Sequence, residues 1–526
     1  MTMKLRSRLT LLTIIGLAGL VFLFMVTILH PASIDGNHAG ESLYKAANSH
    51  LAMPRNLVDK SSWAVSNFTS ADYQFHDEPA RGHKINNVEE SLRRKFLFKE
   101  KPHLEVDYAK GYINKVFTPA RRDTELFTKE IYQMNPSQLI YHINAYRYKA
   151  RRKGDKMDIF DNSAIRERGD SLKDWELWYL NISQYELYRH DDPVIDKLLY
   201  DMATLPIEHS KQLSGGTQLK LKLTYSDELE GLWKPMRFTR DTETLTNHYY
   251  FSDYERHTAE IAAFHLDRVF GFRRSPPISG RILNITEDIK QHATERFRKT
   301  MFYSPVGNLC FYGKCSYYCD SNHAICGHPD WIEGSVAAFL PSDDFAPREH
   351  RRNPWRRSYS RYKKALWETD RDYCESIRKK PPFDKGRVLL DLIELHIFDF
   401  IQGNMDRHHY EVYDFPEEWQ NDTMPVVLDN GRGWGKMYKD ELSILVPLQQ
   451  CCQVRYSTLQ KLLLFDEGPF KLSKILDYST SKDPLYPILV GGHLPAADRR
   501  VKITLKEIQT CVAEHGWSSV VIDDGF

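Results

Sequence analysis

Gly403-Asn404-Met405-Asp406-Arg407-His408-His409-Tyr410-Glu411 follows a long apolar run, and Leu428-Asp429-Asn430-Gly431-Arg432-Gly433 comes soon after. The two stretches place acids at Asp406, Glu411 and Asp429. Transfer of a phosphoryl group to a hydroxyl needs a carboxylate that orients the hydroxyl and takes its proton. It also needs hard oxygen ligands for the divalent cation on the nucleotide phosphates. An Asp mounted just past a buried helix, with two further acids behind it, supplies such a set. The order points to a phosphotransferase.

A protein kinase catalytic loop reads H-R-D-x-x-x-x-N, with D-F-G further on. Glu411 stands here in place of that Asn, and Asp429-Asn430-Gly431 in place of D-F-G. Asn-Gly is also a hairpin-turn signal, and such a turn would present Asp429. Gly431, Gly433 and Gly435 suit close backbone approach as well as a plain loop. Upstream, Gln218 to Tyr225 alternates polar and apolar residues, which predicts a strand. Leu232 to Met236 reads as its partner, with Pro235 marking an edge or an end. Thr258 to Phe270 reads as a helix stopped by Gly271, and Val388 to Gln402 as a buried helix capped by Gly403. The aromatic-rich helical pattern from about 123 to 205 reads as core. Strands and a helix, followed by a mostly helical half, give the order of a two-lobed kinase, an α+β fold.

Lys234 lies in the second strand segment, where a kinase carries the lysine that holds phosphates. Glu255 and Glu260 flank the start of the next helix as its candidate acidic partners. Gln218 and Lys220 follow Ser214-Gly215-Gly216, a glycine pair suited to covering phosphates but lacking the full G-x-G-x-x-G. Asp406, His408, His409 and Glu411 also admit a metal-hydrolase reading. Adjacent histidine side chains diverge, so His408 and His409 read better as packing within the loop. Arg348 to Lys364 carries eight Lys or Arg interleaved with Trp355, Tyr359 and Tyr362. It reads as a solvated face or as a surface for an acidic substrate or sulfated glycan.

The chain has 526 residues, 41% of them hydrophobic, which is enough for a large core, and its net charge of +1 gives no global field for nucleic acid. Lys4, Arg6 and Arg8 precede Leu9 to Leu29, 21 residues without a charge. That length suits a membrane helix and exceeds the apolar core of a cleaved signal peptide. The expectation is a cytosolic tail at 1–8, a transmembrane signal anchor at 9–29 and a luminal remainder. Residues 30–120 are polar and poorly periodic and read as a luminal stem, and the kinase domain is placed at 160–526. Eight cysteines, an even count in a luminal chain, imply disulfides. Cys310, Cys315, Cys319 and Cys326 are separated by four, three and six residues, without the C-x-x-C pairs that zinc favours. Adjacent Cys451 and Cys452 should each reach a different partner. Asn67, Asn181, Asn284 and Asn421 head glycosylation sequons.

Together these residues resemble the secretory-pathway kinases called family with sequence similarity twenty, relatives of the Four-jointed kinase, on the branch of member C, the Golgi casein kinase. The resemblance rests on Tyr250 to His257, Ala259 to Arg268, Gly403 to Glu411, Leu428 to Lys436 and Leu442 to Cys452, and covers roughly residues 160 to 520. It implies Asp406 as the catalytic Asp, and Glu255 and Asp429 as ligands of manganese, with magnesium as the substitute. Gln218, Lys234 and Glu411 become ATP contacts, with Lys220 close by, and Ala337-Ala338-Phe339-Leu340 meets the adenine. It implies the pairs Cys310–Cys326, Cys315–Cys319, Cys374–Cys451 and Cys452–Cys511. The pseudokinase member has Gln where this chain has Glu255, so an active enzyme is expected. Trp434 replaces a Phe of similar relatives. The resemblance further implies a Golgi type II protein, released for secretion when the stem is cut, acting on secreted acidic proteins at Ser-x-Glu sites. It also implies a second copy or a pseudokinase member as partner. A glycan kinase and a non-catalytic kinase activator are the alternatives.

Overall fold

The computed structural model describes Phe117 and residues 125–151, 172–245, 255–316, 318–360, 362–414, 423–523 and 525. The expected anchor and, apart from Phe117, the expected stem lie outside the described residues, as do Asn67 and Asn421; Phe117 is buried in the core. Among the described residues no helix is long and apolar enough to cross a membrane.

Helices α1 (Pro136–Arg151), α2 (Asp174–Asn181) and α3 (Pro193–Thr204) lead into a strand-rich half. Strands β1 (Ile207–Leu213), β2 (Lys220–Tyr225) and β3 (Glu230–Pro235) run antiparallel. Helix α4 (His257–Phe270) and strand β4 (Ile278–Asn284) follow, and β8 (Trp331–Ala338) inserts between β3 and β4. The sheet order is β1-β2-β3-β8-β4. A small sheet of β5 (Met301–Tyr303), β6 (Leu309–Phe311) and β7 (Ile325–Cys326) precedes β8.

The alternation read from the sequence is the alternation of burial. Leu221, Leu223 and Tyr225 of β2 enter the core while Lys220, Lys222 and Thr224 face the other way. On β3, Trp233 is buried and Lys234 points to the opposite face, so a one-residue slip would remove the lysine from the cleft. Gly280 of β4 packs where a Cβ would lie 2.4 Å from Asp483 Oδ1 and 2.5 Å from Leu485 Cγ. Gly280→Ala should therefore cost about 1–3 kcal/mol, as overpacking does, read as a lower urea midpoint.

The helical half is built on α5 (Val388–Gln402), every residue of which is buried. Its apolar residues fill a large core, while Asp391, Glu394, His396 and Asp399 are buried with polar or charged partners. Strand β9 (Arg348–Arg352) pairs with β10 (His409–Tyr413) beside it. Helices α6 (Val446–Cys451), α7 (Tyr456–Glu467), α8 (Leu472–Thr480) and α9 (His493–His515) complete the half. Gly271 ends α4 and Gly403 ends α5, with φ of 64° and 73°. Both are left-handed caps that glycine adopts without a Cβ clash.

The four disulfides are Cys310–Cys326, Cys315–Cys319, Cys374–Cys451 and Cys452–Cys511, the pairs that the family resemblance implied. The last two tie the segment before α5 to α6, and the turn after α6 to α9. Inside the helical half, Arg274, Arg387 and Arg455 surround Asp391, and Arg274 and Arg455 also hold Glu394. All five side chains are buried. Burial alone would raise the Asp391 pKa, but the three guanidiniums outweigh it and hold the carboxyl well below its usual range.

Candidate active site

Lys234 gathers the acids on one side of the cleft. Its Nζ lies 2.6 Å from Glu260 Oε1, 3.1 Å from Asp429 Oδ1 and 3.7 Å from Glu255 Oε2. Burial opposes its charge, yet the three carboxylates win and raise its pKa, so it stays protonated. Glu260 Oε2 accepts the Asn430 N–H at 3.0 Å, so one glutamate fixes both the lysine and the loop that carries Asp429. Of the two acids flanking α4, Glu260 is thus the lysine's close partner. Glu255, set just before the helix, is left facing Asp429.

Asp429 has φ of 53°, which turns its side chain into the cleft. The carboxylate is 79% accessible. Lys234 beside it, more than any opposing effect of burial, holds it well below the usual carboxylate range. Burial, followed by the like charge of Asp429, pushes Glu255 up despite Lys234. The Asn430-Gly431 pair is not a hairpin turn. Asn430 is fully buried, its Oδ1 accepting from Gln402 and from Arg407 at 2.6 Å.

The loop after α5 is anchored by a buried ion pair. Arg407 bonds both oxygens of Asp399, at 2.8 and 2.9 Å, and reaches Asn430 and the Leu428 carbonyl. This cross-brace sets the Asp406 loop against the Asp429 loop. Asn404 Oδ1 accepts the Asp406 N–H at 3.0 Å, which fixes the Asp406 backbone. Asp406 Oδ1 accepts from the Tyr359 hydroxyl at 2.7 Å, and Oδ2 pairs with Arg432. His408 has its pKa raised, chiefly by its bond to Asp406. It therefore serves within the loop. Among the described residues no cluster of three His, Cys, Asp or Glu is arranged to hold a metal, and the metal-hydrolase alternative has no geometric support.

A second brace runs through His396. Its Nδ1 donates to the Ile444 carbonyl at 3.1 Å and its Nε2 lies 3.0 Å from Asn353 Nδ2 and 3.4 Å from Asn353 Oδ1, while Asn353 also donates to the Arg407 carbonyl at 2.7 Å. Burial lowers the His396 pKa from 6.5 to about 4. The unfolded chain therefore binds a proton that the folded chain refuses. This stability is complete above about pH 6.5 and is lost as pH falls toward about 4. The melting temperature should drop over that window, and less steeply in His396→Asn. His265 and His493, lowered by burial to about 3 and about 4, keep their shares.

The glycine pair covers this centre. Gly215 and Gly216 have φ of 89° and 74°, and a Cβ on Gly216 would lie 3.2 Å from Lys220 Nζ. The Thr217 hydroxyl donates to Glu255 Oε1 at 3.1 Å. Gln218 is buried, and its Nε2 has no hydrogen-bond partner. The Cys315–Cys319 loop supports the glycine pair from outside: the Ser316 N–H donates to the Gly216 carbonyl at 3.0 Å, and Cys315 Sγ lies 3.5 Å from the Thr217 carbonyl.

Glu411 is not with Glu255, Glu260 and Asp429. It lies on β10 and pairs with Arg348 at 2.9 Å and His350 at 3.6 Å. Arg348 in turn donates to the Pro341 carbonyl at 2.6 Å, which places Glu411 at the connection between the halves. The reason is the β9–β10 pairing, which turns Glu411 toward that connection. It is Ala337-Ala338-Phe339-Leu340 that makes this connection. The Phe339 N–H donates to Glu230, and its carbonyl accepts from Tyr179. The basic stretch divides likewise: Arg348 to Arg352 form β9, whereas Tyr359 reaches Asp406. Asn181 is half-buried and donates to Asp192. Asn284 is buried with its carbonyl oxygen capping the next turn, which sets it against use as a glycan acceptor.

The sequence assigned no role to Asp399, Arg407, His396 or Arg432, and Tyr359 stood there only among the aromatics of the basic stretch. Arg407 and Arg432 stand inside the two quoted motifs, so adjacency to the acids was the available signal. His396 carried none, because its partner Asn353 lies 43 residues away in the chain, and nothing tied Tyr359 to Asp406, 47 residues away.

Residues 173–520 match the model of the family described as Fam20C, Golgi casein kinase, C-terminal. The chain belongs to the Fam20C family. It is 53% identical over 347 residues to the extracellular serine/threonine protein CG31145 of Drosophila melanogaster, covering 66% of this chain and 65% of that one. It is 50% identical over 356 residues to the extracellular serine/threonine protein kinase FAM20C of Homo sapiens, covering 68% of this chain and 60% of that one. The chain thus spans less than two thirds of either relative. The crystal structure of the Golgi casein kinase with Mn/ADP bound superposes with a TM-score of 0.68 and 39% identity, over 79% of this chain and 92% of that one.

Proposed function

We propose that this Fam20C-family chain is a serine/threonine protein kinase that transfers the γ-phosphate of ATP to secreted acidic proteins at Ser-x-Glu sites. The observation that carries the reading is the joining of Lys234, Glu260, Asp429 and Glu255 at one end of a cleft whose other end holds Asp406. Lys234 and Lys220 attract the phosphates, and Gly215 and Gly216 let the loop backbone close over them. Gln218 offers a buried amide nitrogen that lacks a partner, its Oε1 accepting from Arg237, and so has a donor for a nucleotide. Glu411 and the Ala337–Leu340 segment line the adenine end. Asp406 orients the serine hydroxyl and accepts its proton.

The residues present fit a nucleotide-borne divalent cation. Glu255 and Asp429 are two carboxylates facing one another, and hard cations on nucleotides take one or two protein carboxylates plus phosphate and water. When bound, manganese neutralises phosphate charge, and magnesium would do the same less specifically. The N-terminal features complete the reading: a Leu9–Leu29 signal anchor, a stem over 30–120 and a Golgi-luminal kinase domain over 160–526, released by stem cleavage.

The test offers γ-labelled ATP and manganese with either casein or a xylose-bearing linker glycan. Labelled serine in casein is the expected result. Label confined to the glycan would make the chain a glycan kinase. No label in either would leave a non-catalytic activator, an outcome that Glu255 and Asp406 argue against.

A further inference from the structure

Arg432 crosses the gap between the two ends of the cleft. Its Nη1 pairs with Asp406 Oδ2, its Nη2 lies 3.4 Å from Thr217 Oγ1, and its Nε lies 3.7 Å from Glu255 Oε1. Those partners come from three separate segments: the loop after α5, the glycine loop, and the lead into α4. The arrangement is built in. A Cβ on the preceding Gly431 would lie 3.1 Å from Glu255 Cβ, and the Arg256 N–H donates to the Gly431 carbonyl at 2.7 Å. The backbone that carries Arg432 is thus pressed against the start of α4, and its side chain is only 10% exposed.

Resting on the proposed phosphoryl transfer, we infer that Arg432 is a further catalytic residue that grips the phosphoryl group as it passes from nucleotide to acceptor. Thr217, Lys234 and Glu255 mark the nucleotide side, and Asp406 marks the acceptor side. The group in transit must occupy the space that the guanidinium bridges. Arginine is permanently charged, and its planar fork matches phosphate oxygens. Without nucleotide its strongest anionic partner is one carboxylate. A triphosphate carries more charge, so it draws the guanidinium from Asp406 and frees Oδ2 for the hydroxyl. In the step itself the serine oxygen bonds to the γ-phosphorus as the bond from phosphorus to the β–γ bridging oxygen breaks. That electron pair leaves with ADP, and the hydroxyl proton goes to Asp406. Arg432 gains and loses no proton; it balances charge on the equatorial oxygens, as an arginine supplied in cis does in other phosphoryl-transfer enzymes.

The test uses the full chain with manganese and the variants Arg432→Gln and Arg432→Lys. Four quantities are read: kcat on casein, ADP affinity, the gain in ADP affinity when aluminium fluoride is added as a mimic of the transferring group, and the melting temperature. Arg432→Gln should lower kcat by about 10²- to 10³-fold. It should abolish the aluminium fluoride gain while leaving ADP affinity and melting temperature as in the wild type. Arg432→Lys, which keeps the charge and loses the fork, should fall between. The inference is overturned if kcat in Arg432→Gln falls by less than about tenfold. Rate, ADP affinity and melting temperature all falling together in both variants would also overturn it, by marking a structural brace. A wild-type chain that labels neither casein nor glycan overturns the underlying function instead.

Discussion

Asp429→Ala should lower phosphate transfer by about 10³-fold or more, a loss typical of removing charge stabilisation at a transferring group. The substitution removes one of two facing carboxylates suited to a divalent cation. It also frees Lys234 from its 3.1 Å contact and leaves that lysine to Glu260 alone at close range. The fold should survive, because the Asp429 carboxylate is 79% accessible and its loop is held through Asn430. Rate and manganese-dependent ADP binding should therefore collapse at an unchanged melting temperature. A melting temperature that fell with the rate would instead make Asp429 a structural residue.

Glu394→Ala should cost about 3–5 kcal/mol of stability, the usual penalty for stranding buried charge. Glu394 Oε2 accepts from Arg274 at 2.6 Å and from Arg455 at 2.8 Å, and Oε1 accepts from the Thr458 hydroxyl. Its removal leaves two guanidiniums sharing Asp391 with Arg387, so three positive charges face one negative. The effect should reach the cleft, because the Arg274 carbonyl accepts the N–H of Val427, two residues before Asp429. Urea unfolding measures the cost, and a midpoint close to wild type would show that water relieves the network. Replacing all five charged residues by apolar ones should cost much less than the single change.

Much of this frame was legible in the sequence, for local reasons. Gly271 and Gly403 ended their helices as read, because a left-handed cap is a single-residue property. The alternation in β2 gave the face of the sheet directly. What stayed hidden depends on elements crossing one another. Glu255 and Glu260 both suited the lysine, and only the approach of α4 to β3 gives the 2.6 Å contact to Glu260. Asn430-Gly431 carried a hairpin signal, and a turn does form, the Asn430 carbonyl accepting the Gly433 N–H at 2.8 Å, but no strands pair across it and Arg407 and Gln402 hold the Asn430 side chain. Glu411 followed the kinase order along the chain, yet the β9–β10 ladder turned it to Arg348, at the connection between the halves. The disulfide pairs illustrate the same limit, since eight cysteines allow 105 connectivities and spacing alone selects none.

The central claim is that the cleft moves phosphate and that Asp406 is the group receiving the hydroxyl proton. It is tested most directly by phosphate transfer from γ-labelled ATP to casein, with wild type and Asp406→Asn compared at equal ADP occupancy. The account predicts labelled serine with the wild-type chain and a loss of about 10²- to 10⁴-fold in the variant, the range for removing a general base, with ADP affinity retained. Equal labelling by the two chains would contradict it.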